Sequence, residues 1–159
     1  LFSGTKATTF SPDVTMSRGM LVTVLYKFAG SPTITSSSKF TDVSDSDYYA
    51  KAVAWASDNK LVSGVGDGKF DPSAPVTREQ MVAILYKYAQ FKAYDVSVGE
   101  DTNIYSDVLS VSKYAVPAMQ WACGAGVIQG SGNKLMPKEG ATRAQVSAIM
   151  QSFIKITAK

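Results

Sequence analysis

Arg18, Arg78 and Arg143 are the only arginines in this 159-residue chain, and all its other basic residues are lysines. Each arginine follows a hydroxyl residue, Ser17, Thr77 or Thr142, and opens a stretch of periodic apolar residues. A guanidinium is a planar fork that grips a carboxylate or phosphate with two hydrogen bonds, which an ammonium cannot do. One residue inside a helix cap, it sits beside unpaired amides and a partial positive charge, where a cation is mildly disfavoured. Its threefold use therefore needs a cause. One is an anion bound at the helix start by the fork and the amides together. The other is an internal pair, for instance with Asp42 or Asp107. The two are compatible, because a paired carboxylate orients the fork.

Two further pairs stand at matching places. Tyr48 and Tyr114 fall at the start of two Ala-rich helical stretches, where an aromatic ring can stack on a sugar face while its hydroxyl stays wet. The plainer alternative is a partly buried tyrosine that closes the helix onto its neighbours. Asp42 and Asp107 bind alongside the arginines or simply turn the chain or cap the first helices. Gly66-Asp67-Gly68 lacks the further carboxylates of a calcium loop and reads as a turn.

Composition removes several classes. There is no histidine and one cysteine, Cys123, which excludes an internal disulfide and argues against His-based catalysis and a His/Cys metal site. Cys123 lies among small residues and reads as packed and inert. A net charge of +3 without a basic run does not suggest nucleic acid. No apolar run is long enough to span a membrane. No cofactor and no metal are expected.

The elements that must position these residues recur. Phe40-Thr41-Asp42-Val43 leads to a first helix near Asp47 to Asn59, then Leu61-Val62-Ser63-Gly64, a turn, Phe70-Asp71-Pro72, and a second helix from Thr77-Arg78 to about Gln90. Tyr105-Ser106-Asp107-Val108 opens the same series, with a first helix near Lys113 to Gly124, Val127-Ile128-Gln129-Gly130, Leu135-Met136-Pro137, and a second helix to about Ile156. An earlier copy begins part-way, at Leu1-Phe2-Ser3-Gly4, and continues through Phe10-Ser11-Pro12 and Ser17-Arg18. It lacks roughly twenty residues of the pattern. The chain reads as one domain over 1–159, with a partial repeat 1 over 1–30, repeat 2 over 40–91 and repeat 3 over 105–157.

The second helices carry one apolar stripe each: Leu21, Val24, Leu25 and Phe28; Met81, Ile84, Leu85 and Tyr88; Val146, Ile149, Met150 and Phe153. Three such stripes can bury one another about a pseudo-threefold axis, with the first helices and Trp55 and Trp121 outside. Thr77 with Gln80 and Thr142 with Gln145 fit a capping box, while Ser17 with Met20 allows only half of one. The missing first helix of repeat 1 is expected to expose an apolar face over Leu21, Val22 and Leu25, open to dimerisation or a partner.

In order and spacing these submotifs resemble the S-layer homology family: Phe40-x-Asp42-Val43, Tyr48-x-x-x-Ala52-Val53, Leu61-Val62-x-Gly64, Asp67-Gly68-x-Phe70-x-Pro72 and Thr77-Arg78-Glu79-Gln80. The family's Trp is Tyr48 or Tyr114 here, its final Glu is Met20, Gln80 or Gln145, and Leu135 replaces the usual Phe in repeat 3. The resemblance implies an all-α fold with a central three-helix bundle, outer short helices and grooves between repeats. It implies a non-enzymatic anchor on the bacterial cell surface. The ligand it implies is an acidic secondary cell wall polymer, often pyruvylated, or a peptidoglycan-linked polysaccharide. The ketal carboxylate of such a polymer suits Arg18, Arg78 and Arg143, with Arg78 the strongest contact. The competing reading is a structural or protein-interaction module with degenerate grooves. A glycan hydrolase would need two carboxylates facing across a cleft, and no acidic pair is placed alike in all repeats.

Overall fold

The computed structural model describes residues 11–158. The opening of repeat 1, Leu1-Phe2-Ser3-Gly4 with Phe10, lies outside the described residues. Five α-helices hold the described chain: α1 (Arg18–Phe28), α2 (Ala50–Asp58), α3 (Arg78–Phe91), α4 (Val116–Gly124) and α5 (Arg143–Thr157). Short 3₁₀ turns and isolated β-bridges complete it, with no strand among the described residues, so the fold is all-α as expected.

The second helices begin where their caps require. Thr77 and Thr142 each accept the amide of the residue three on, and Gln80 and Gln145 reach back to the cap amide, giving two complete capping boxes. Ser17 caps α1 through the Met20 amide alone. The first helices are shorter than expected. Repeat 2 runs through turns from Asp47 and becomes helical only at Ala50, and Lys113–Ala115 is a 3₁₀ turn ahead of α4. Pro117 explains the second case: it favours a first-turn position and cannot donate an amide further in.

The chain forms two compact units. One contains Met16–Val76; the other contains Pro12–Thr15 and everything from Thr77 onward. The boundary does not follow the sequence repeats. Within the first unit α1, from repeat 1, packs on α2, from repeat 2; within the second, α3 packs on α4, from repeat 3. The packed pair is thus a second helix with the first helix of the next repeat. Trp55 of α2 meets Tyr26 of α1 at 5.6 Å between ring centroids, and Trp121 of α4 meets Tyr86 of α3 at 5.5 Å. Phe153 of α5 joins the second cluster at 6.0 Å from Tyr88 and 6.2 Å from Trp121.

This offset corrects the expectation of an exposed face on α1. Leu21, Val22 and Leu25 are fully buried, and the first helix of repeat 2 packs on α1. On α5 the positions matching Val22 and Val82, and Tyr26 and Tyr86, are Ser147 and Gln151. Gln151 is exposed and Ser147 half-buried, so the stripe a tryptophan helix covers on α1 and α3 is polar on α5.

Two glycines are set by close approach. A Cβ on Gly64 would lie 2.7 Å from the Phe40 ring, and one on Gly130 would collide with Tyr105. The aromatic that opens repeats 2 and 3 therefore seats on the glycine that closes the third submotif.

Candidate functional site

Each second helix starts against the Pro-containing loop of another repeat. The Arg18 and Gly19 amides donate to the carbonyls of Ala74 and Pro72, both at 2.9 Å. The Arg78 and Glu79 amides donate to Glu139 and Pro137 at 2.9 and 3.0 Å. Those of Arg143 and Ala144 donate to Val14 and Pro12 at 2.9 and 3.0 Å. The third amide of each α1 and α3 start goes to the cap hydroxyl. The orphan donors of these helix starts are therefore engaged by protein, leaving an anion no unengaged amide in the first turn of α3.

The guanidinium side chains continue the same clasp. Arg18 Nε donates to the Phe70 carbonyl and Nη2 to that of Ser63, both at 3.0 Å. Arg78 repeats this on Leu135 at 2.9 Å and Gln129 at 3.3 Å. The Arg18 fork also lies 4.6 Å from the centroid of the Phe70 ring, a contact that Leu135 cannot offer Arg78. Arg18, Arg78 and Arg143 are 8%, 5% and 5% exposed. Burial lowers the pKa of Arg78 from its ordinary value, with Glu139 acting against that trend.

Asp42 and Asp107 take the other side of the same loops. Asp42 accepts the amides of Phe70 and Asp71, each at 2.8 Å. Asp107 accepts those of Leu135 and Met136, each at 2.8 Å. Neither aspartate caps a first helix: Tyr49 and Ala115 hold those cap positions, without a side-chain hydrogen bond. Burial pushes both carboxyls up, but the paired amides outweigh it and hold each pKa below the ordinary aspartate value.

The tyrosines separate from the plainer alternative. Tyr48 and Tyr114 are 64% and 60% exposed, so they do not close the first helices onto their neighbours. That place belongs to Tyr49 in repeat 2, whose ring stands edge-on to Tyr48 at 4.9 Å and lies over Gly19. Two adjacent tyrosines gave the sequence no means of telling the seat from the exposed ring.

Sequence reasoning missed Glu79. This carboxylate is buried on the first turn of α3. It accepts the Ser112 amide at 2.9 Å, the Ser112 hydroxyl at 2.8 Å, the Lys138 ammonium at 2.6 Å and the Tyr114 hydroxyl at 3.5 Å. Lys138 is 59 positions away in the chain, and only an acid at a position held by Gly19 and Ala144 in the other repeats hinted at it. Cys123 is buried and free, and burial pushes its thiol pKa up, which suits an inert role.

Beside Arg78 opens a cleft of about 280 Å³ whose polar lining includes Gln129, Gln145 and Ser152. No cluster of metal-ligating side chains and no helix long and apolar enough to cross a membrane occurs among the described residues.

Repeats clasped through arginine forks, with no strand among the described residues, define a tandem-repeat helical module. The chain belongs to the S-layer homology domain family, whose model matches residues 39–82 and 104–147. It is 29% identical over 156 residues to an endoglucanase of Bacillus sp. (strain KSM-635), covering 97% of this chain and 16% of that protein. It is 30% identical over 159 residues to an amylopullulanase of Thermoanaerobacterium thermosulfurigenes, covering 98% of this chain and 8% of that protein. It is 33% identical over 112 residues to a cell surface protein of Thermoanaerobacter kivui, covering 70% of this chain and 15% of that protein. The chain thus spans a small part of these relatives. The family is a non-catalytic module that anchors surface proteins to the cell wall.

Proposed function

We propose that this chain is one S-layer homology domain that holds a bacterial surface protein on the wall by binding an acidic, pyruvylated secondary cell wall polysaccharide. The observation that carries the reading is the cleft lined by Arg78, Gln129, Gln145 and Ser152, which sets a buried cation beside polar residues. Such a set suits an acid-bearing sugar. Exposed Tyr48 and Tyr114 each offer, within their own unit, a ring face on which a sugar can stack. Arg18, Asp42 and Asp107 contribute by holding the loops in shape.

A second reading, a structural or protein-interaction module, is favoured by one fact. The forks of Arg18 and Arg78 already serve backbone carbonyls. Sedimentation with purified wall sacculi, before and after polymer extraction, separates the two. The anchor reading expects retention that disappears with the polymer and weakens when the polymer loses its acidic groups. Equal retention on extracted and intact sacculi would sink it.

A further inference from the structure

We propose that Glu79 is a built-in occupant of a carboxylate receptor: Ser112, Lys138 and Tyr114 form a seat for an acid group that this chain closes with its own side chain. The proposal deepens the glycan-binding reading and rests on it for one consequence. The sugar lying against Tyr114 is selected to be uncharged there, and the polymer's acid must be read elsewhere.

The donor set is that of an anion site. One backbone amide, one hydroxyl and one ammonium reach the Glu79 carboxylate between 2.6 and 2.9 Å, with the Tyr114 hydroxyl at 3.5 Å. Lys138 also contacts the Ser112 hydroxyl, which links two of the donors to each other. Glu79 is 3% exposed, whereas the Lys138 side chain is 56% exposed and Tyr114 also faces solvent. The carboxylate is therefore buried beneath donors that open on the surface.

The fold does not require an acid at this position. Repeat 1 has Gly19 and repeat 3 has Ala144. In repeat 1 the space is taken differently: a Cβ on Gly19 would lie 3.0 Å from the Tyr49 ring, and the residue matching Tyr49 in repeat 3 is Ala115. A large ring over a glycine in one unit is replaced by a long acid beside an alanine in the other. Lysine is likewise local to this seat, since Ser73 matches Lys138 in repeat 2.

The test vacates the seat and refills it from solution. Glu79→Ala should melt below the wild type and recover about 2–4 °C as sodium formate replaces chloride at constant ionic strength. Wild type and Glu79→Gln, whose seats stay filled, should show no such rise, and Glu79→Ala with Lys138→Ala should lose it. If Glu79→Ala folds only in formate, the receptor is supported as well; failure to fold in either salt overturns it. A formate response in Glu79→Ala no larger than in wild type also overturns it. This arm needs no glycan, so its failure is distinct from failure of the anchor reading. If sacculi retain the protein, Glu79→Ala should gain affinity for acidic polymer and not for de-acidified polymer; equal gains would overturn the selectivity.

Discussion

Arg18 and Asp42 grip the two polar groups of a single residue, Phe70. Asp42 accepts its amide at 2.8 Å, and Arg18 Nε donates to its carbonyl at 3.0 Å. Arg78 and Asp107 hold Leu135 in the same way. The arginine of one repeat and the aspartate of the next are thus joined through one residue of a loop. Each keeps a charge-assisted bond, and the loop is fixed from both sides.

This geometry makes the arginines matter for stability. Arg78→Ala should cost about 1–3 kcal/mol, because the Leu135 and Gln129 carbonyls lose their donor in a largely buried place. Arg78→Lys should recover only part, since a point charge cannot reproduce the fork. Urea denaturation of both variants measures this, and an Arg78→Ala midpoint equal to wild type would refute the clasp.

Acid should loosen the same loops. The aspartate pKa values are lowered in the folded chain, so their stabilisation is fully present above the unfolded value of about 3.9. It is lost as pH falls through the lower folded values. Melting temperature followed from about pH 5 to pH 2 should drop less steeply in Asp42→Asn and Asp107→Asn than in wild type. Those variants should already be less stable at neutral pH.

Burial of the helix stripe sets a third outcome. Leu85 is fully buried and Lys87 exposed. Leu85→Ala should cost roughly 2–5 kcal/mol and Lys87→Ala little. Equal losses by chemical denaturation would contradict the assigned face of α3.

The exposed tyrosines separate binding from folding. Tyr48→Ala and Tyr114→Ala should leave the melting temperature within a few degrees of wild type, because both rings stand in solvent. Each should weaken retention on sacculi about two- to tenfold, the worth of one aromatic contact. Unchanged retention in both would remove them from the glycan site.

Much of this was legible in local chemistry. Thr77 with Gln80, Thr142 with Gln145 and the three apolar stripes each depend on residues a few positions apart, and periodicity reveals such spacing directly. What joins repeats is not local. Asp42 meets its amides 28 and 29 positions on, Arg18 its carbonyls 45 and 52 positions on, and Glu79 its lysine 59 positions on. Nothing in the pattern around those residues says which backbone group they will reach. The half-repeat offset was hidden for a related reason: a sequence repeat shows what was copied, while packing follows which apolar faces meet.

The pairing of α3 with α4 has a consequence for how the chain withstands damage. The exposed stretch 92–101 is part of the connection between these helices in sequence, but Tyr86 and Trp121 hold them together in space. A protease that severs this connection leaves two pieces still fastened to each other by the aromatic seam. A nicked anchor of this kind would keep its grip after its covalent continuity is gone.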